Sequence, residues 1–235
     1  MKNIFLFLFL FSSTINGYGQ TSEEYFKSGR AKDSLHDFKA AIVDYNKALE
    51  LDPKYAVVYI NRAIAKDSLQ DYKGAIEDYS KAIEFYPREA ELFAMKAVAK
   101  SNLKDYEGAV FDCNWAIAID PDLAESYKTR GFAKYKLKDY LGAIGDFNKA
   151  IEIDPDYAEG YKIRGFAKAN LRDLKGAMGD YNKALEMNPT DADAYYNRGI
   201  IKIVNGDKAG GCSDLTKADE LGYEGANKLI KKHCK

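Results

Sequence analysis

Three cysteines, two histidines and a large set of carboxylates are the side chains of this chain that could carry chemistry. His36 and His233 share no site with a second metal ligand at useful spacing, although His233 adjoins Cys234. The Gly210-Gly211 pair lacks the lysine-serine ending of a phosphate-binding loop. The carboxylates are numerous, but the informative ones recur: Asp44, Asp78, Asp112, Asp146, Asp180 and Asp214 stand 34 residues apart. A hydrolytic pair would have to break that pattern, and none does. The chain reads as non-enzymatic, with no cofactor and no metal site.

The elements that carry these residues follow the same interval. All five prolines, from Pro53 to Pro189, are 34 residues apart. So are the small residues Gly29, Ala63, Ala97, Gly131, Gly165 and Gly199, each preceded by an aromatic four positions earlier. A bulky series, Tyr45, Tyr79, Cys113, Phe147, Tyr181 and Leu215, lies between two further small-residue series. A fixed period of this length marks a stack of supersecondary units, none of which can bury its apolar face alone. Each unit holds two apolar stretches at helical spacing, as in Ala143, Ile144, Phe147, Ala150 and Ile151. Between them stands Asp37, Asp71, Asp105, Asp139, Asp173 or Asp207, placed to cap the second helix. The prolines end that helix and open the turn to the next unit.

The aromatic–small, Ala-x3-aromatic-x2-Ala, proline order resembles the tetratricopeptide repeat (TPR) family, over six units without insertion from about Ser22 to near Gly222. The resemblance implies an all-α fold: a right-handed solenoid of six helix-turn-helix repeats, with units starting near 22, 56, 90, 124, 158 and 192. Two positions depart from the family pattern. Cations stand beside the small residue (Arg62, Lys96, Arg130, Arg164, Arg198) and three after it (Lys32, Lys66, Lys100, Lys134, Lys168, Lys202). In an antiparallel hairpin both cations reach the recurring aspartate, which gives either an ion-pair ladder along the seams or a cationic strip.

In TPR stacks the first helix of each unit lines a concave face. By that resemblance the face includes Phe26, Ile60, Ile64, Val98, Lys128, Phe132, Lys162, Phe166, Tyr196 and Ile200, with Tyr135 one turn beyond Phe132. It is largely apolar with a few cations, suited to a protein or peptide partner. Glu23, Glu91, Glu125, Glu159 and Asp193 open these helices; they either complement the helix dipole or select a basic partner. The two-carboxylate clamp of some TPR cochaperones is absent, since Phe26, Arg30, Asn61, Glu91 and Met95 occupy its places in the first three units. Trp115, where all five sibling units carry lysine, is either an interface anchor or a local repair beside the small Cys113.

Lys2, the apolar run Ile4 to Phe11 and the small and polar residues that follow have the order of a secretory signal peptide. Cleavage is expected before Gln20, leaving no membrane span in the mature chain and a secreted or periplasmic protein; a retained anchor is the alternative. With 35 basic against 36 acidic residues and no basic tail, nucleic-acid binding has no electrostatic footprint. Residues 223–235 form a C-terminal capping helix that folds back after Gly222. Cys212 and Cys234 are each eleven residues from Tyr223, so the return brings them alongside, and a disulfide is expected with Cys113 left as a buried thiol. The functional expectation is an envelope adaptor; a non-catalytic subunit of an enzyme complex and a glycan or small-ligand binder are the alternatives.

Overall fold

A computed structural model describes residues 20–234; the signal segment expected at 1–19 lies outside the described residues. The chain forms thirteen helices, and no strand occurs among the described residues. The first helices of the six units are α1 (Ser22–Ser34), α3 (Ala56–Ser68), α5 (Ala90–Asn102), α7 (Ala124–Lys136), α9 (Ala158–Asn170) and α11 (Ala192–Val204). Their partners are α2 (Phe38–Leu51), α4 (Tyr72–Phe85), α6 (Tyr106–Ile119), α8 (Tyr140–Ile153), α10 (Leu174–Met187) and α12 (Lys208–Glu220), and α13 (Ala226–His233) follows. Successive pairs pack as hairpins and stack into a solenoid.

The periodic residues explain the hairpin. In every second helix the predicted aspartate is the N-cap: Asp71, for example, accepts a hydrogen bond from the Gly74 backbone N–H at 3.0 Å. Just before each cap the chain turns through a left-handed residue, His36, Gln70, Lys104, Lys138 or Arg172, and Gly206 in the last unit. The bulky series is the hairpin core, with Tyr45, Cys113, Phe147, Tyr181 and Leu215 all at 0% exposure. Small residues opposite make room for it. A Cβ on Gly165 would sit 2.7 Å from the Tyr181 ring, so alanine there would displace the ring.

The departures from the family pattern build the ion-pair ladder. Arg62 grips Asp78 with Nε and Nη2 at 2.8 and 2.6 Å, and Lys66 adds a third contact at 2.8 Å. The same triad recurs at Arg130–Lys134–Asp146, Arg164–Lys168–Asp180 and Arg198–Lys202–Asp214. These aspartates are buried, and the cations beside them leave no free positive strip. Each arginine also reaches back to the preceding unit, donating from Nη1 to Asn46, Asn114, Asn148 or Asn182 at 2.7–2.8 Å. The third unit lacks this link. Lys96 replaces arginine, and Ser80, standing where four of the other units have asparagine, donates instead to the Ile76 carbonyl. Lys96 and Lys100 contact Asp112 at 3.2 and 2.7 Å, but neither aligns as a hydrogen bond.

Trp115 is half exposed and stacks on Phe93, with ring centroids 6.2 Å apart. The cluster around Cys113 is made instead by Ala97, Ala109, Ala133, Tyr106 and Val110, so Trp115 does not repair that core. Burial pushes the Cys113 thiol up to about 12. At the C-terminal end Cys212 and Cys234 lie within bridging reach, with Cα atoms 5.6 Å apart.

Candidate binding groove

The odd-numbered helices lie side by side, and their shared face carries a run of adjoining clefts. The first, about 400 Å³, is lined by Val57, Ile60, Leu92 and Met95, with Tyr86, Glu89 and Glu91 at its edge. Met95 and Glu91 are shared with the second, about 260 Å³, which adds Asp67, Tyr79, Ala94, Val98, Leu123 and Glu125. Val98 and Glu125 are shared in turn with the third, about 240 Å³, which runs past Lys128 and Phe132 to Tyr157 and Ile163. The result is one groove from the second unit to the fifth, apolar along its floor.

Local sequence positions these side chains. The first turns of α3, α5, α7 and α9 follow the proline turns and receive no side-chain cap. Their upstream flanking residues, Tyr55, Glu89, Leu123 and Tyr157, are therefore free to pack sideways, and Leu123 and Tyr157 become groove wall. At their far ends Asp67 and Ser101 face the same clefts.

Of the residues expected here, Ile60, Val98, Lys128 and Phe132 line the groove. Ile64 is exposed, at 38%, beside it. Phe26 does not face a partner: it is buried against Tyr45 and Tyr55 as core of the first hairpin. Phe166 packs between units, against Tyr135 and Tyr181 at centroid separations of 6.4 and 5.6 Å. With Tyr135 it also walls a polar cleft completed by Asn170, Asp193, Asn197 and Tyr223. Tyr196 is covered by Tyr223, stacked at 4.1 Å, and Ile200 is partly buried.

The two lysines expected to supply positive charge are committed internally. Lys128 bonds Asp154 at 2.8 Å and sits over the Tyr157 ring at 4.4 Å. Lys162 bridges Glu159 at 2.7 Å and Asp191 at 3.0 Å, and those carboxylates outweigh burial to hold its ammonium above the usual lysine range. Among the described residues the groove acids Asp67, Glu89, Glu91 and Glu125 have no ion-pair partner. Leu92, Met95, Leu123 and Tyr157 were missed from sequence. Leu123 and Tyr157 share one periodic offset, two residues after the proline, and that offset was the available signal.

Among the described residues no group of three or more His, Cys, Asp or Glu is arranged to hold a metal ion. No helix among them is long and apolar enough to cross a membrane.

A solenoid of helical hairpins with a continuous groove across its first helices is the architecture of tandem-repeat binding modules. Models of the tetratricopeptide repeat match residues 25–55 and 56–89, 124–157 and 173–202, together more than half of the chain, which belongs to the TPR family. Among solved structures, PilF of Pseudomonas aeruginosa superposes with a TM-score of 0.75 at 18% identity, over 91% of this chain and 97% of that one. YrrB, described as a TPR protein with an unusual peptide-binding site, gives 0.68 at 23% identity, over 80% and 97%. MamA from Desulfovibrio magneticus RS-1 gives 0.68 at 20% identity, over 72% and 95%. These identities speak for the fold. A search of curated protein sequences found no match.

Proposed function

We propose that the mature chain is an exported, non-catalytic adaptor that holds a segment of a partner protein in the groove of its first helices. The supporting observation is the continuity of the groove: three clefts share Glu91, Met95, Val98 and Glu125, giving a track long enough for a peptide. TPR proteins are interaction scaffolds, and peptide binding by the structurally similar YrrB supports this use of the fold. Export follows from the signal-like order of residues 1–19 and agrees with two cysteines poised to pair in an oxidising compartment.

Two measurements test the reading. A Met95→Asp substitution should abolish partner binding while circular dichroism stays helical; retained binding would place the interface elsewhere. Mass spectrometry of the native protein should find a chain starting at Gln20 with one free thiol, that of Cys113; three free thiols would remove export, and an intact Met1 with one free thiol would mean a retained anchor. A second reading, binding of a glycan, draws on the polar aromatic cleft at Tyr135, Tyr181, Asn170 and Asn197. Retention on glycan resin without a stoichiometric protein partner would favour it.

A further inference from the structure

The middle cleft of the groove joins apolar walls to unpaired acids. Its walls are Ala94, Met95, Val98 and Leu123, and Glu91 and Glu125 lie at its rim on the first turns of α5 and α7. Both glutamates are exposed and have no ion-pair partner among the described residues. The helix dipole favours an acid at such a position in any helix, and Asp193 of α11 also stands unpaired, but in α1 and α9 the acid is neutralised locally. Glu23 pairs with Lys27 at 3.1 Å and Glu159 with Lys162 at 2.7 Å. In α5 the residue three after the acid is Ala94, and in α7 it is Lys128, which turns away to Asp154.

A buried carboxylate oxygen and a hydroxyl at the cleft point the same way. Asp67, at the end of α3, lines the cleft, and its Oδ1 is buried without a hydrogen-bond partner. Burial raises its carboxyl above the ordinary aspartate range. Tyr79, 2% exposed, lines the same cleft with a hydroxyl that makes no hydrogen bond to a described residue. A buried acceptor left without a donor is destabilising by about 1–3 kcal/mol, a cost that a ligand donor would relieve.

Resting on the groove reading above, we propose that this cleft takes a lysine or arginine of an apolar partner segment, its stem along Met95, Val98 and Leu123 and its charge among Asp67, Glu91 and Glu125. Such side chains are the ones that lay a long aliphatic stem on apolar surface while presenting a cation at the tip. The internal pairing of Lys128 and Lys162 removes the positive charge that would otherwise oppose it.

The test selects a phage-displayed random dodecapeptide library on the intact mature protein and measures the recovered peptides by fluorescence anisotropy. The expected result is enrichment of lysine or arginine flanked by apolar residues. Replacing that cation by norleucine, or introducing Glu91→Gln with Glu125→Gln, should each weaken binding at least tenfold. Both glutamates are exposed, so the double variant should melt with the parent. Recovery of apolar or acidic peptides that Met95→Asp abolishes would overturn the cation site and leave the groove standing. Peptides indifferent to Met95→Asp, or no peptides at all, would overturn both.

Discussion

The two halves of the face formed by the first helices are built from the same repeat and treat their lysines and acids differently. From the fourth unit onward the lysines of the first helices are tied internally, Lys128 to Asp154 and Lys162 to Glu159 and Asp191, and Tyr196 is roofed by Tyr223, while Glu125 stays unpaired at the boundary. Across the second and third units Glu89 and Glu91 stand without cations, Asp67 has an orphan oxygen, and Ile60, Met95 and Val98 face an open cleft. A repeat protein can thus keep one hairpin geometry and assign binding to one stretch of it. The change is made at the few positions per unit that the hairpin does not need.

Beneath both halves runs the ladder, and removing a rung gives the largest effect. Asp180→Ala strands Arg164 and Lys168 in a partly buried seam, and urea denaturation should show a loss of about 3–5 kcal/mol. Asp112→Ala should be milder, because Lys96 and Lys100 make no aligned hydrogen bonds to it and flexible ammonium groups can swing to water. Equal losses would mean that the third unit is as tightly tied as its siblings. Next comes binding, where the halves should separate. Val98→Asp should weaken a groove-bound peptide by tenfold or more, about 1.4 kcal/mol, whereas Tyr196→Ala should leave binding within twofold in a titration.

Acid titration offers a third contrast, with opposite signs. Burial works against the charged form of Asp214, but hydrogen bonds from Arg198 and Lys202 outweigh it and depress the carboxyl. Its contribution is present above the unfolded pKa near 4 and lost as pH falls through the lower folded value. The Asp67 carboxyl is raised, so its favourable contribution exists at low pH and is lost as pH rises through the folded value. Asp214→Asn should therefore destabilise at pH 7 and cost much less at pH 2. Asp67→Asn should stabilise at pH 7 by about 1 kcal/mol and bring no gain at pH 3. Denaturation curves at these pH values check both. The smallest effect is expected where Lys104 turns with φ +64°: Lys104→Gly should raise stability by about 0.5–1 kcal/mol, read as a thermal shift.

Much of this was legible in the sequence because the period repeats the physics. Six aspartates at one offset read as caps, and six more, five of them opposite two cations, left a ladder or a cationic strip, of which the structure builds the ladder. Equal distances from Tyr223 brought Cys212 and Cys234 together on paper as they lie in space. What was not legible crosses the repeat. The Lys128–Asp154 pair joins a first helix to the turn after the second one, 26 residues on, and the neighbouring unit does not repeat it. The Tyr223 roof depends on a capping segment that occurs once. The left-handed turns fall on His36, Gln70, Lys104, Lys138 and Arg172, side chains that carry no conformational signal; only Gly206 announces the geometry.

The missing arginine–asparagine link between the second and third units has a thermal consequence. Every later junction is sewn by a polar cross-tie, whereas this one is closed by Leu92, Phe93 and Ala94, buried in succession at the start of α5. Apolar closure weakens on cooling, and charged ties weaken with salt. In a linear array each junction contributes its own nearest-neighbour energy. Near freezing, then, this chain should breathe first at the α4–α5 junction, with amide exchange rising there. In concentrated salt the order should reverse, and that junction should be the last to loosen.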